Sequence, residues 1–438
     1  MASPRNGSYS RTGSWFFDMA LWRSPSLTGG YCPVIWERAI VIVDMDAFFA
    51  SVEQLDHPCW RDRPIAITNG RRGTCIITCS YEARAFGVKT GMRLKQAYQL
   101  CPDLTQVPAT PLRYAEISTT IMAELALICP DIEVFSVDEA FLDVSHCQLL
   151  HGTPARIASM ARERIFAATG LTCSAGVSGD KTTAKYAAKL GKPDGLAVIP
   201  PWESRAALQD VPVTRLCGIA RGIGNFLALH GVYRCGQMQD LPISVLGQRF
   251  GNPGRRIWYM AQGLDPEPVH TTVAPPKSVG HGKVMPPNTT SIEVIKTYLW
   301  HMAHKVAQRL RKHDLRAKRF YIALRTQYQG WLKTVESTAI ACDDGQQIGR
   351  LCERFLSQYW HGQGVCQVQL TALDPHCEGQ VDLFQRPNLQ RLAVNRVMDR
   401  VNNRYGSLTL ASARLLQRSD MPDVIAPSWR PEGHRKTV

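Results

Sequence analysis

Two short acidic segments hold the residues that could do chemistry. In Ile40-Val41-Ile42-Val43-Asp44-Met45-Asp46 an unbroken apolar stretch runs into two carboxylates. In Ser136-Val137-Asp138-Glu139-Ala140-Phe141-Leu142-Asp143 an adjacent acidic pair sits between apolar neighbours. A carboxylate in such surroundings needs a compensating cation, because an unpaired charge is costly to desolvate. Strand ends that present three or four carboxylates at one sheet edge make a hard-oxygen site suited to Mg²⁺. Two such ions side by side assist in-line displacement at phosphorus. Taken singly, each acidic pair reads equally well as a strand end or a helix cap. Two of them, each beside a buried-type run, favour the metal reading. A nuclease or a nucleotide cyclase has the same requirement, and the carboxylates alone leave those classes open.

The surrounding periodicity says what must position these groups. Residues 39–53 read as a buried strand leading into a helix. Ile65 to Thr68 and Cys75 to Cys79 read as short strands around the Gly70-Arg71-Arg72-Gly73 turn, followed by helices near 82–86 and 93–100. Apolar spacing of three and four predicts a helix from Leu112 to Ile128. Glu133 to Val137 and Ala140 to Val144 flank the acidic pair as strands, Ala155 to Thr169 is a helix, and Leu171 to Ser178 is a strand. Lys181, Lys185 and Lys189 recur at helical spacing as a basic stripe, read equally as a solvated face or a phosphate contact. Further on, Ser278 to Met285, Arg319 to Gln327, Trp331 to Val335 and Val365 to Leu373 read as strands. Ser291 to Lys312 and Gln346 to Tyr359 read as helices between them.

Composition narrows the class. The chain has 438 residues, a formal net charge of +14 and 45% hydrophobic content, enough for two to four domains with real cores. The basic balance points to a polyanionic partner. Fourteen cysteines without a Cys-x-x-Cys pair argue against a disulfide framework or a structural zinc and for a reduced, cytoplasmic protein. His301 and His304 read as ordinary helix-face residues rather than a metal pair. No apolar run is long enough to span a bilayer, so a membrane partner is not expected. Residues 1–37 read as a disordered extension, or as an upstream start with Met19 as an internal initiator.

Four segments in order, Asp44 to Glu53, Ser80 to Val88, Ser136 to Asp143 and Gly191 to Gly195, resemble the Y-family translesion DNA polymerases. The likeness is to the bacterial DNA polymerase IV and polymerase V catalytic subunit group, and it spans roughly residues 38 to 415. It implies that Asp44, Asp138 and Glu139 hold two Mg²⁺ ions, for which Mn²⁺ substitutes, with the Met45 carbonyl as a further ligand. It implies that Phe49 is a steric gate against ribose, and that Tyr81, Arg84 and Lys192 bind the triphosphate of a dNTP. An arginine fork matches phosphate oxygens, and the three-residue step from Tyr81 to Arg84 puts both on one face of a helical turn.

The resemblance also implies an α+β right-hand polymerase. Its palm, a mixed sheet with helices, covers 38–55 and 101–200, and small fingers cover 56–100. A helical thumb covers 201–272, a linker 273–277, and a β-α-β-β-α-β little finger 278–376. The C-terminal tail is 377–438. In the thumb, Gly218, Arg221 and Gly222 fall where a helix-hairpin-helix meets DNA phosphates, although Ala220 stands where a second glycine is usual. Arg325 and Lys333 are little-finger candidates for DNA contact. Gln380, Leu383 and Phe384 resemble the pentapeptide that docks on the bacterial sliding clamp.

The implied partners are primer-template DNA, dNTPs and that clamp. Accessory mutagenesis subunits or a recombinase filament are further partners that the resemblance allows. The expected activity is low-fidelity, template-directed synthesis across damage without proofreading, in a DNA-repair and SOS-response setting. A non-catalytic clamp- and DNA-binding scaffold is the alternative, and the presence of all three carboxylates speaks against it.

Overall fold

The computed structural model describes residues 35–71, 73–273, 275–377, 389–406 and 408–416. The expected N-terminal extension, apart from its last three residues, and the pentapeptide 380–384 lie outside the described residues.

The first part of the chain builds a five-stranded sheet. Strand β1 (Ile40–Met45) passes into helix α1 (Phe48–Asp56) through Ala47, which holds the left-handed conformation at φ 46°. A smaller sheet follows, formed by β2 (Ile65–Thr68), β3 (Ile76–Cys79) and, after α2 (Tyr81–Ala85) and α3 (Leu94–Leu100), β4 (Thr105–Pro108). Its order is β3-β2-β4. Strand β4 was not foreseen. It pairs in parallel with β2 and carries this small sheet past the expected boundary at residue 100. The chain continues through α4 (Pro111–Ala126), β5 (Ile132–Val134), β6 (Glu139–Asp143), α5 (Gln148–His151), α6 (Pro154–Thr169), β7 (Cys173–Ser178), α7 (Lys181–Gly191) and β8 (Leu196–Val198).

The large sheet runs β5-β6-β1-β7-β8, so β1 lies at its centre, antiparallel to both neighbours. That position explains the unbroken apolar run, because a strand covered on both faces has no polar side. Val41, Val43 and Met45 join the core that includes residues of α4 and α6. Ile40 and Ile42 meet Phe141 and, from α7, Ala184 and Ala188. Helix α7 can lie this close only because Gly176 faces it: a Cβ there would stand 2.1 Å from the Ala184 carbonyl oxygen. Asp180 caps α7 by accepting from the Thr183 N–H at 2.9 Å.

A helical unit follows, with α8 (Ser204–Leu208), α9 (Arg221–Leu229) and α10 (Ile243–Met260) around Leu208, Leu227, Met238 and Leu246. Helix α10 breaks at Gly251, where φ is 66°, just before Pro253. The returning chain is fastened to the large sheet. Asp265 accepts from Arg256 at 2.8 and 2.9 Å and from the Thr182 hydroxyl at 2.7 Å. Arg38 donates to the Asp265 carbonyl.

The last sheet has the expected β-α-β-β-α-β order: β9 (Ser278–Thr289), α11 (Ile292–Lys312), β10 (Ala317–Thr326), β11 (Trp331–Cys342), α12 (Gly345–Tyr359) and β12 (Val365–Leu373). Its strands run β11-β10-β12-β9, all antiparallel. Phe320, Ile322 and Leu324 point to the two helices, and Arg325 is exposed on the opposite face. A further helix, α13 (Leu389–Tyr405), docks on this unit through Asp399, which accepts both arms of Arg311 at 2.6 and 2.9 Å. His301 is buried on α11, and His304 is half-buried one turn further along the same helix.

Candidate active site

Strand pairing delivers the acidic segments to one place. Asp44 lies directly opposite Glu139 across β1 and β6, and the Met45 N–H donates to the Asp138 carbonyl at 2.8 Å. Burial pushes the Asp44 carboxyl up to about 6, with Glu139 and Asp138 adding to the rise and Lys192 opposing it. Like charges therefore crowd one sheet end, as the spacing led us to expect.

Each carboxylate also has a named neighbour. The Lys192 ammonium stands 2.5 Å from Asp44 Oδ1 and 3.0 Å from the Met45 carbonyl oxygen. Lys185 Nζ lies 2.5 Å from Glu139 Oε2, with both side chains largely buried, and 4.5 Å from the Phe135 ring centroid. Asp138 accepts from the Ser136 hydroxyl. A cation thus already rests on two oxygens that the resemblance assigns to a metal. The donor set is all hard oxygen, which fits Mg²⁺.

Asp46, left without a role by the sequence, is buried beside Tyr81 and Lys192. It accepts from the Ser174 hydroxyl at 2.9 Å, from the Asp194 N–H at 2.8 Å and from the Tyr81 hydroxyl at 3.4 Å, and Lys192 Nζ stands 4.0 Å away. Arg84 lies over the Tyr81 ring at 4.7 Å, so the two share one face as their spacing predicts. Tyr81 and Lys192 approach this carboxylate, while Arg84 lies on the Tyr81 ring and donates its Nε–H to the Cys79 carbonyl at 3.2 Å. Phe49 is buried and stacks flat on Tyr114, with centroids 4.2 Å apart and planes 10° from parallel. Tyr114 in turn donates to Glu53 at 2.7 Å. Both partners were missed. The i,i+4 spacing of Phe49 and Glu53 was visible, whereas Tyr114 comes from another helix.

The basic stripe on α7 is solvated only at its end, where Lys189 is exposed, while Lys181 and Lys185 are withdrawn from solvent. Lys181 pairs with Glu133 at 2.6 Å, Lys185 with Glu139, and Lys189 donates to the Arg215 carbonyl at 3.2 Å. In the helical unit Gly218 takes φ +85°, and a Cβ on Gly218 or Gly222 would meet open space. Ala220 is extended, at φ −84° and ψ 179°, directly before Arg221 opens α9. The missing second glycine is therefore no obstacle, since an extended position accepts any residue. Arg325 and Lys333 are exposed on neighbouring strands, where Arg325 pairs in register with Trp331 and Lys333 with Ala323.

Known proteins resemble this chain over most of its length. Residues 43–189 match the impB/mucB/samB family model, and residues 276–383 match the model of that family's C-terminal domain. DNA polymerase IV of Moorella thermoacetica is 33% identical over 383 residues, covering 86% of this chain and 95% of that protein. DNA polymerase IV of Mannheimia succiniciproducens is 35% identical over 353 residues, covering 79% and 99%. A Y-family DNA polymerase chimera of known structure superposes with a TM-score of 0.67 at 26% identity, covering 78% of this chain and all of that one.

The chain belongs to the Y family of translesion DNA polymerases. The large sheet is then the palm, the small sheet with α2 and α3 the fingers, the helical unit the thumb and the last sheet the little finger. In this Y-family polymerase the acidic end of the palm sheet opens beside Tyr81 and Arg84 of the fingers.

Proposed function

We propose that this Y-family polymerase copies damaged templates with low fidelity by two-metal nucleotidyl transfer, adding dNMP to a primer 3′-hydroxyl and releasing pyrophosphate without proofreading. The observation that carries the reading is Asp44 facing Glu139 across paired strands, with Asp138 next to Glu139 in the chain and Asp44 drawn toward protonation by burial and, after it, by the two acidic neighbours. Asp44, Asp138, Glu139 and the Met45 carbonyl are the residues that would hold divalent ions. Bound there, two ions would lower the pKa of the primer hydroxyl and neutralise charge on the phosphates.

The remaining steps belong to the chain's own residues. Lys192, Arg84 and Tyr81 bind the triphosphate, and Asp46 orients Tyr81 by accepting from its hydroxyl. Lys192 is well placed to exchange Asp44 for phosphate oxygens. Phe49 closes the sugar side and rejects a 2′-hydroxyl. Gly218, Arg221 and Gly222 offer backbone and guanidinium donors to primer phosphates, and Arg325 and Lys333 grip duplex from the exposed sheet face. Gln380, Leu383 and Phe384 tether the enzyme to the sliding clamp and so raise its local concentration at the primer end.

Primer extension tests the centre of this reading. Replacing Asp138 and Glu139 by Ala should cut extension by at least about 10³-fold while DNA binding persists. Extension at the wild-type rate by a folded double variant would remove these residues from the reaction.

A further inference from the structure

We propose that the cleft between α13 and the end of the little finger is a second phosphate-binding site, which takes a DNA strand outside the primer-template grip. The cleft encloses about 640 Å³ and is lined by Arg311, Arg316, Arg396 and Arg400 together with Asp314, Asp343 and Asp399. It sits where α11 ends, β10 begins and β11 and β12 finish, at the end of the sheet where the linker enters.

The charges in the cleft do not cancel. Arg311 is held by Asp399 at 2.6 Å, and Arg316 lies 3.6 Å from Asp343. Close by, Arg391 pairs with Asp344 at 3.1 Å and Arg414 with Glu353 at 2.7 Å. Among the described residues, Arg396 and Arg400 have no such carboxylate. They stand four residues apart, one above the other on α13, and both line the cleft. Asp399, their neighbour in sequence, is committed to both arms of Arg311. Burial raises the Asp343 carboxyl pKa, and Arg316 and Arg311 oppose that rise. Asp314 alone remains as a carboxylate without an arginine partner, against two unpaired guanidiniums.

Guanidinium is weakly hydrated and matches phosphate oxygens with a planar fork, so two of them in one concave wall select an oxyanion. Asn403, one turn beyond Arg400, adds an amide to the same wall. A phosphodiester chain suits this cleft better than a protein partner does, because the enzyme already handles DNA and carries a net charge of +14.

The test uses the full chain carrying R396A/R400A, with R396K/R400K as the charge-preserving control. Binding of a single-stranded oligonucleotide and of primer-template is followed by anisotropy from low to moderate salt. The proposal expects R396A/R400A to lower the slope of log affinity against log salt by about 1.5, as losing two phosphate contacts requires. It expects R396K/R400K to keep most of that slope, and single-turnover incorporation on saturating primer-template to be unchanged in both. An unaltered slope in a variant that melts like wild type would overturn it. So would a thermal shift of the wild type by inorganic phosphate, abolished in R396A/R400A, without any change in DNA binding, since that marks a free-anion site.

Discussion

Phe49 owes its position to a stack of two rings and a buried carboxylate. Tyr114 is fully buried and lies flat against Phe49, and Glu53 accepts both its hydroxyl and that of Thr110. Phe49→Ala should raise ribonucleotide incorporation relative to deoxyribonucleotide at least about tenfold, read as the ratio of kcat/KM values. Unchanged selectivity would remove the gate assignment. Asp44 gives a second expectation. Its carboxyl pKa rises from 3.8 to about 6 on folding, so the folded state binds the proton more tightly. The charged form therefore costs stability above pH 6 and nothing below about pH 4. In chelator, wild-type stability minus that of Asp44→Asn should fall by about 3 kcal/mol between those limits, measured by denaturant melts. A flat difference would contradict the crowding of charge at this site. The principal acidic residues were legible because apolar runs led into them. Asp46, Lys185 and Tyr114 were not assigned, since their meaning depends on which distant strand or helix lies opposite.

At the scale of elements, α7 is the joint between palm and thumb. Lys181 reaches Glu133 of β5 at 2.6 Å and the Pro268 carbonyl at 3.2 Å, and the His270 N–H donates to the same Glu133 oxygen at 2.8 Å. Removing one member of a buried pair strands the other. Lys181→Met should lose about 3 kcal/mol of stability, and Lys181→Met with Glu133→Leu should recover most of it. A double variant as weak as the single one would show that the lysine acts through packing alone. Helix and strand identities were readable from periodicity nearly everywhere: α4, α6, α11 and α12 begin within one residue of expectation, and β12 has the expected limits. Strand β4 escaped because four residues ending in Pro108 show too little alternation to distinguish them from a loop. Strand β11 extends seven residues past Val335, since pairing with β10 and not side-chain pattern sets its length.

For the whole molecule, the β-α-β-β-α-β order and the palm were legible, but the docking of α13 was not, because its apolar face is weak and its hold is ionic. A chain ending at Asn388 keeps the pentapeptide and removes Asp399 from Arg311, Arg391 and Asn395 from Asp344, and Arg414 from Glu353 and Trp300. Little-finger stability should drop by about 3 kcal/mol, seen as an earlier transition in a thermal melt of the shortened chain. An unshifted transition would mean that the helix rests on the surface without bracing it. The fastening of residues 265–270 has its own consequence. Both ends of the thumb are anchored on the palm, one through β8 and the other through Arg38, Thr182 and Glu133. A jaw riveted at both roots cannot swing on a hinge. Any widening of the grip on DNA must then fall to the little finger, joined by the chain after His270.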